Sequence, residues 1–297
     1  MTRPCVVIGH RGARGLHPEN TLGGFAAAWA LGVNALELDV ALTADGVVVV
    51  AHDPALNPDI TRDADGAWLA KAGPLIRSMR TDEVRRYDVG RLRPGTAYAA
   101  QFPDQVPRDG ARIPTLAEVL RLAPAAPLVI ELKTFPGEPG RSASGPELAE
   151  AAIAVTDAAG ATPRVTVEGF DWRGPRHLRR IRPDVRLAWL TRAATEADAA
   201  LWWDGPVPAD FGGSVPRAVA AEGGPVWAPD HADLTAALVA EAHDLGLAVI
   251  PWTVNAPADM RRLIGWGVDG LVTDRPDLAR QVVPNTEPPP QGSPVTA

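Results

Sequence analysis

Five short segments of this chain hold side chains able to do chemistry together: Gly9-His10-Arg11-Gly12, Glu37-Leu38-Asp39, His52-Asp53, Glu131-Leu132-Lys133 and Glu168. The two acidic segments lie in short apolar runs that read as strands. Residues two apart on a strand share a face, so Glu37 points with Asp39, and Glu131 with Lys133. One such pair is often an edge or salt-bridge feature. Two inside apolar strands are harder to explain so, because charges are almost never buried unpaired. Crowded carboxylates repel, and a hard divalent cation is the simplest neutraliser. All-oxygen ligation favours Mg²⁺ or Ca²⁺ over Zn²⁺.

Two histidines add proton transfer, since imidazole serves as acid or base near neutral pH. Asp45-Gly46 reads as a two-residue hairpin turn between β-rich flanks. Folding about that turn places His52 opposite Asp39, on the same face; a slip of one residue turns it away. The run Gly9-x-x-Gly12-x-x-Gly15 lacks the spacing of a nucleotide loop and is expected to turn the backbone tightly, leaving His10 and Arg11 exposed. Lys133 is one of two lysines beside 27 arginines, which suggests that a compact point charge is needed there. Trp252 ends the apolar segment beginning at Val249 and is expected at the mouth of a pocket.

These groups need a frame. Strand-like runs occur at Cys5–Gly9, Ala35–Val40, Leu128–Lys133, Arg164–Gly169, Arg186–Leu190, Pro225–Ala228, Ala248–Thr253 and Gly270–Thr273. Each is nearly continuous in apolar residues, as strands covered on both faces are. Helical stretches fit between them at Leu22–Ala30, Leu116–Leu122, Glu147–Ala159, Arg173–Arg180, Glu196–Trp203, Leu234–Leu245 and Asp259–Gly265. Eight strands with helices between them predict an α/β fold, a closed (β/α)8 TIM barrel, with a doubly wound open sheet as the alternative. Ala209–Gly213 competes with Pro225–Ala228 for the sixth strand. Residues 53–113, rich in Pro, Gly and Arg, are expected to form a small subdomain inserted into a single catalytic domain over 1–282; the proline-rich stretch 283–297 is expected to be disordered.

The 297 residues are 46% hydrophobic and 22% charged, with a net charge of −7. That balance excludes a nucleic-acid footprint, and no stretch is apolar enough to span a bilayer. A single cysteine and a short apolar N-terminus point to the cytoplasm.

His10-Arg11-Gly12, Pro18-Glu19-Asn20-Thr21, Glu37-Leu38-Asp39-Val40, His52-Asp53, Glu131-Leu132-Lys133, Trp252-Thr253-Val254-Asn255 and Asp269-Gly270-Leu271-Val272-Thr273-Asp274-Arg275-Pro276 resemble, in order, the glycerophosphodiester phosphodiesterase family. The resemblance implies hydrolysis of glycerophosphodiesters to glycerol 3-phosphate and an alcohol, with one divalent cation, Mg²⁺ or Ca²⁺. It implies that His10 and His52 are the acid/base pair, Glu37, Asp39 and Glu131 the metal ligands, Arg11 and Lys133 phosphate contacts, and Trp252 a pocket aromatic. Glu168-Gly169-Phe170-Asp171 departs from the family, which more often has a serine before Phe-Asp, and the Glu168 carboxylate is expected to touch the metal or a glycerol hydroxyl. A glycerol 2-hydroxyl giving a cyclic phosphate, or direct attack by water, are the two routes. A barrel cleaving lysophospholipids or phosphoinositides is the alternative; it would use the arginines at 77, 80, 85, 86, 91 and 93 against a membrane. A non-catalytic barrel binding glycerophospho-ligands would be expected to lack one of the histidines or carboxylates.

Overall fold

A computed structural model describes residues 5–283. The stretch expected to be disordered lies, beyond Val283, outside the described residues. Nine strands form one sheet: β1 (Val6–Gly9), β2 (Ala35–Leu42), β3 (Val48–Val50), β4 (Leu128–Leu132), β5 (Val165–Gly169), β6 (Arg186–Thr191), β7 (Val226–Pro229), β8 (Ala248–Val249) and β9 (Gly270–Thr273). Eight run parallel in the order β8-β7-β6-β5-β4-β2-β1-β9, and β3 pairs antiparallel with β2. The seam between β8 and β9 is joined by hydrogen bonds from Asp269 N to Val249 O (2.9 Å) and from Val272 N to Pro251 O (3.0 Å). With helices between the strands, the fold is the (β/α)8 barrel expected from the alternation, not an open sheet.

Each barrel strand has two uses. On β2, Leu36, Leu38 and Val40 pack outward into the core shared with the helices. On the inner face Ile8, Ala35 and Val272 form a separate apolar cluster with Val129 and Ile250. Toward the C-terminal strand ends, inward positions become acidic: Asp39 is in register with Glu131, and Glu131 with Glu168. The lower barrel interior is thus a packed apolar plug, and the chemistry sits above it.

Several boundaries differ from the sequence pattern for identifiable reasons. Val226–Pro229 is the sixth barrel strand, whereas Pro208–Phe211 is a 3-10 turn. β8 is regular only over Ala248–Val249, because Pro251 has no N–H for a ladder. Helix Glu196–Trp203 is in fact two, Ala193–Ala197 and Ala199–Trp202. The helix Val215–Glu222, unexpected from periodicity, opens on Ser214, whose hydroxyl accepts from Arg217 N, with proline in its first turn.

The hairpin also differs, and this matters more. Its connection is the three residues Ala44-Asp45-Gly46, since Thr43 N donates to Val47 O (3.0 Å) and Ala51 N to Asp39 O (3.0 Å). Ala51, not His52, therefore faces Asp39. The Thr43 hydroxyl donates to Asp45 Oδ1 (2.7 Å) and accepts from Val47 N (3.0 Å), closing the longer loop with Gly46 at φ +76°. After Ala51 the chain leaves the ladder and bends through 52–54. Residues 53–113 then pack a small core of Leu56, Ile76, Met79, Val84, Val89 and Ile113 against Val49.

Candidate active site

His10 follows β1 through a tight turn. A Cβ on Gly9 would lie 2.2 Å from the Gly12 carbonyl oxygen, so only glycine permits that turn. Arg11 is held at φ +50°, a left-handed conformation costing about 1 kcal/mol for a residue with a side chain. The strain aims its N–H at Glu37 Oε2, 2.8 Å away. The turn does not expose these residues as expected: His10 and Arg11 are buried, 8% and 7% exposed, and face the barrel interior. There they line a cavity of about 400 Å³ at the C-terminal strand ends, with Glu37, His52, Glu131, Lys133, Glu168 and Trp252.

Glu37, Asp39 and Glu131 each offer an oxygen, and these oxygens lie within 4.8 Å of one another. Glu37 Oε1 and Asp39 Oδ1 are buried without a hydrogen-bond partner. Orphaned carboxylate oxygens are costly in a protein interior, and two aimed into one acidic cluster fit a hard cation. Burial, with Asp39, Glu131 and Glu168 nearby, pushes Glu37 well above the ordinary carboxylate range. Burial acts the same way on Glu168, helped by Glu131 and Asp39, and raises it to about 8. Asp39 behaves oppositely: burial notwithstanding, Arg11, His52 and Lys133 hold its carboxyl far below the usual range.

The cations are tied into this cluster. Lys133 Nζ sits 2.7 Å from Glu131 Oε1 and 3.6 Å from Asp39 Oδ1. Arg11 Nη1 donates to Glu19 Oε1 (2.8 Å), and its Nε lies 3.2 Å from Asp39 Oδ2. Asn20 donates to the same Asp39 oxygen at 2.8 Å. Trp252 donates from its indole N–H to Ala228 O (2.9 Å) and packs edge-on against Phe170, with 5.3 Å between centroids.

Both histidines are oriented through Nδ1. His10 Nδ1 is 2.7 Å from Asp274 Oδ1, with Nε2 3.9 Å from Glu37 Oε2. Asp274 also accepts from Arg14 Nε (2.9 Å) and Asn255 Nδ2 (2.8 Å). His52 Nδ1 is 2.8 Å from Asp53 Oδ1, and Asp53 accepts from Asn57 Nδ2 at 2.7 Å. His52 reaches the cavity through the bend after Ala51 rather than through strand pairing with Asp39.

The sequence reading gave no role to Asp274, Asn255, Asn57, Arg14, Phe170 or Arg192. Asp274 and Asn255 stood inside quoted motifs, a signal that could have found them. Phe170, beside Glu168, carried no pattern of its own.

A profile of the glycerophosphoryl diester phosphodiesterase family matches residues 10–278. The chain belongs to this family, and it is an enzyme: a phosphodiester hydrolase. A glycerophosphodiester phosphodiesterase of Caldanaerobacter subterraneus is 27% identical over 278 residues, spanning 94% of this chain and 97% of its own. One from Bacillus subtilis is 28% identical over 93% of this chain and 86% of its own. Among solved structures, a Silicibacter pomeroyi protein provisionally assigned as a glycerophosphoryl diester phosphodiesterase is 42% identical. It superposes with a TM-score of 0.86 over 95% of this chain and 93% of that one. No helix among the described residues is long and apolar enough to cross a membrane.

Proposed function

We propose that this enzyme hydrolyses glycerophosphodiesters to glycerol 3-phosphate and an alcohol, with one divalent cation, Mg²⁺ or Ca²⁺, on Glu37, Asp39 and Glu131. The observation carrying this reading is the convergence of two aspartate-anchored imidazoles and a carboxylate cluster with two orphaned oxygens on one cavity. The activity named for the Caldanaerobacter subterraneus relative supports it. We read residues 53–113 as a subdomain inserted into this one catalytic domain.

A phosphodiester monoanion repels nucleophiles and has a poor alkoxide leaving group. A cation held by Glu37, Asp39 and Glu131 would supply charge neutralisation to the phosphoryl group. Lys133 adds a point charge at the edge of the same cluster, and Arg11 orients Asp39 while facing the cavity. Asp274 and Asp53 fix each imidazole proton on Nδ1, leaving Nε2 to accept or return a proton. His10 and His52 are the base and acid of the two half-steps. Glu168, in register with Glu131 and lining the same cavity, offers its carboxyl to a substrate oxygen or to the cation. Trp252 walls the pocket beside it.

Five of the six arginines that a membrane-directed reading would use face nearby acids: Arg77 faces Glu147 (2.9 Å), Arg85 Glu118 (2.5 Å), Arg91 Asp109 (2.7 Å) and, less closely, Arg86 and Arg80 face Asp82 (3.3 and 3.7 Å). Arg93 instead donates to Leu69 O. That favours a soluble diester over a lipid surface as substrate.

The test is release of glycerol 3-phosphate from glycerophosphoglycerol. Exhaustive chelation is expected to abolish it, and Mg²⁺ or Ca²⁺ to restore it. Full turnover in chelator would remove the metal from the mechanism, and no release from any glycerophosphodiester would remove the substrate.

A further inference from the structure

Five cationic side chains line the cavity, and four already have acidic partners. Arg11 has Glu19, Arg14 has Asp274, Lys133 has Glu131, and Arg141 has Glu138. Arg192 differs. Among the described residues, no carboxylate is recorded within ion-pair distance of its guanidinium. The nearby acids are engaged elsewhere: Asp233 accepts from Ala193 N (2.7 Å), and Glu196 is bonded to Thr191.

Arg192 is nonetheless placed. Its backbone, just past β6, is pinned by Thr195, whose hydroxyl accepts from Arg192 N (3.2 Å) and donates to Arg192 O (3.0 Å). Its guanidinium carbon lies 5.2 Å from the Phe170 ring centroid. Lys133 Nζ lies 6.0 Å from that same centroid, so one phenyl ring borders both the cation of the carboxylate cluster and this unmatched charge. Trp252 packs on the same ring in a T-shaped contact, with 5.3 Å between centroids. A guanidinium on an aromatic ring keeps its in-plane N–H donors for a second partner, and their fork matches carboxylate and phosphate. A quaternary ammonium would meet repulsion here instead.

We propose that Arg192, seated on Phe170, forms a second anion subsite that takes a carboxylate or phosphate carried by the alcohol part of the substrate. The proposal rests on the glycerophosphodiesterase reading above. It deepens that reading, because it says which diesters the cavity prefers: those whose departing alcohol carries a carboxylate or a phosphate.

The experiment compares kcat/KM on four substrates with the full chain and its cation: glycerophosphoserine (carboxylate), bis(glycerophospho)glycerol (second phosphate), glycerophosphoglycerol (uncharged) and glycerophosphocholine (cationic). The intact enzyme is expected to favour one or both anionic substrates over the choline diester. Arg192→Ala is expected to lower kcat/KM on the favoured substrate roughly five- to tenfold, mainly through KM, and to leave glycerophosphoglycerol within about twofold. Arg192→Glu should reverse the order, and added salt should shrink the preference in the intact enzyme but not in Arg192→Ala. Which anionic substrate responds identifies the group bound. Equal loss on all four substrates, or an unchanged ratio in Arg192→Ala, overturns the subsite while leaving the diesterase reading in place. Failure of the intact enzyme on all four overturns both.

Discussion

The two histidines are wired alike and housed differently. Each gives Nδ1 to an aspartate, and each aspartate is held by an asparagine: His10–Asp274–Asn255 and His52–Asp53–Asn57. The first relay links the ends of β1 and β9 and is clamped by Arg14, with the His10 side chain 10% exposed. The second lies on six consecutive residues where the chain leaves the barrel, with the His52 side chain 31% exposed. The same connectivity can thus be built from distant strands or from one local bend. The rigid version depends on the whole barrel, whereas the local one depends on a single loop.

The largest test removes the rings. Either His10→Ala or His52→Ala is expected to lower kcat by roughly 10²–10⁴-fold, the usual worth of general acid–base catalysis. Added imidazole should restore part of the activity of His52→Ala, whose site is open to solvent, and little in His10→Ala. Equal rescue of both variants would erase the distinction between the two sites.

Acid stability sharpens the contrast. Burial pushes His10 down to about 4, with Arg14 and Arg11 adding to it against the pull of Asp274. An unfolded chain takes up this proton near 6.5, which the folded protein refuses until about 4. Stability present above pH 6.5 is therefore lost as pH falls through that window, by at most about 3 kcal/mol. Asp274 is held far below its ordinary 3.8, so its contribution disappears only at still lower pH. Urea midpoints of the metal-free protein should fall less between pH 6.5 and 4 in His10→Gln than in the parent. Parallel curves would show that His10 is not the group responsible.

Smaller effects belong to the anchors. Asp274→Asn is expected to lower kcat about 10–100-fold, as loss of a residue orienting a functional group does, and to shift the pH–rate profile. Asp53→Asn should cost less, because water can replace its bond. Asn57→Ala should cost least, roughly twofold, beside a larger loss in Asn255→Ala; the reverse order would mean that the exposed relay is the stiffer one.

Much of the site was legible because strand periodicity fixes which side chains share a face. Glu37, Asp39, Glu131 and Lys133 could be grouped from spacing of two within apolar runs, and the structure brings them together. His52 shows the limit of that method. It was placed beside Asp39 by a two-residue turn, but hydrogen bonds among Thr43, Asp45 and Val47 select a three-residue loop. The ring reaches the cavity anyway, because the chain bends just after the ladder ends. Arg192 and Phe170 were illegible for another reason: neither belongs to a charged pair, and their meeting depends on adjacent strand ends.

The sequence by itself determined the alternation of strands and helices, the inward direction of the acidic positions and the need for something cationic among them, since these follow from local periodicity and charge repulsion. Only the tertiary structure decided hairpin register, barrel closure, the pairing of His10 with an aspartate 264 positions away and the seating of an unmatched guanidinium on Phe170. Those depend on side-chain bonds and strand neighbours that spacing along one chain does not specify.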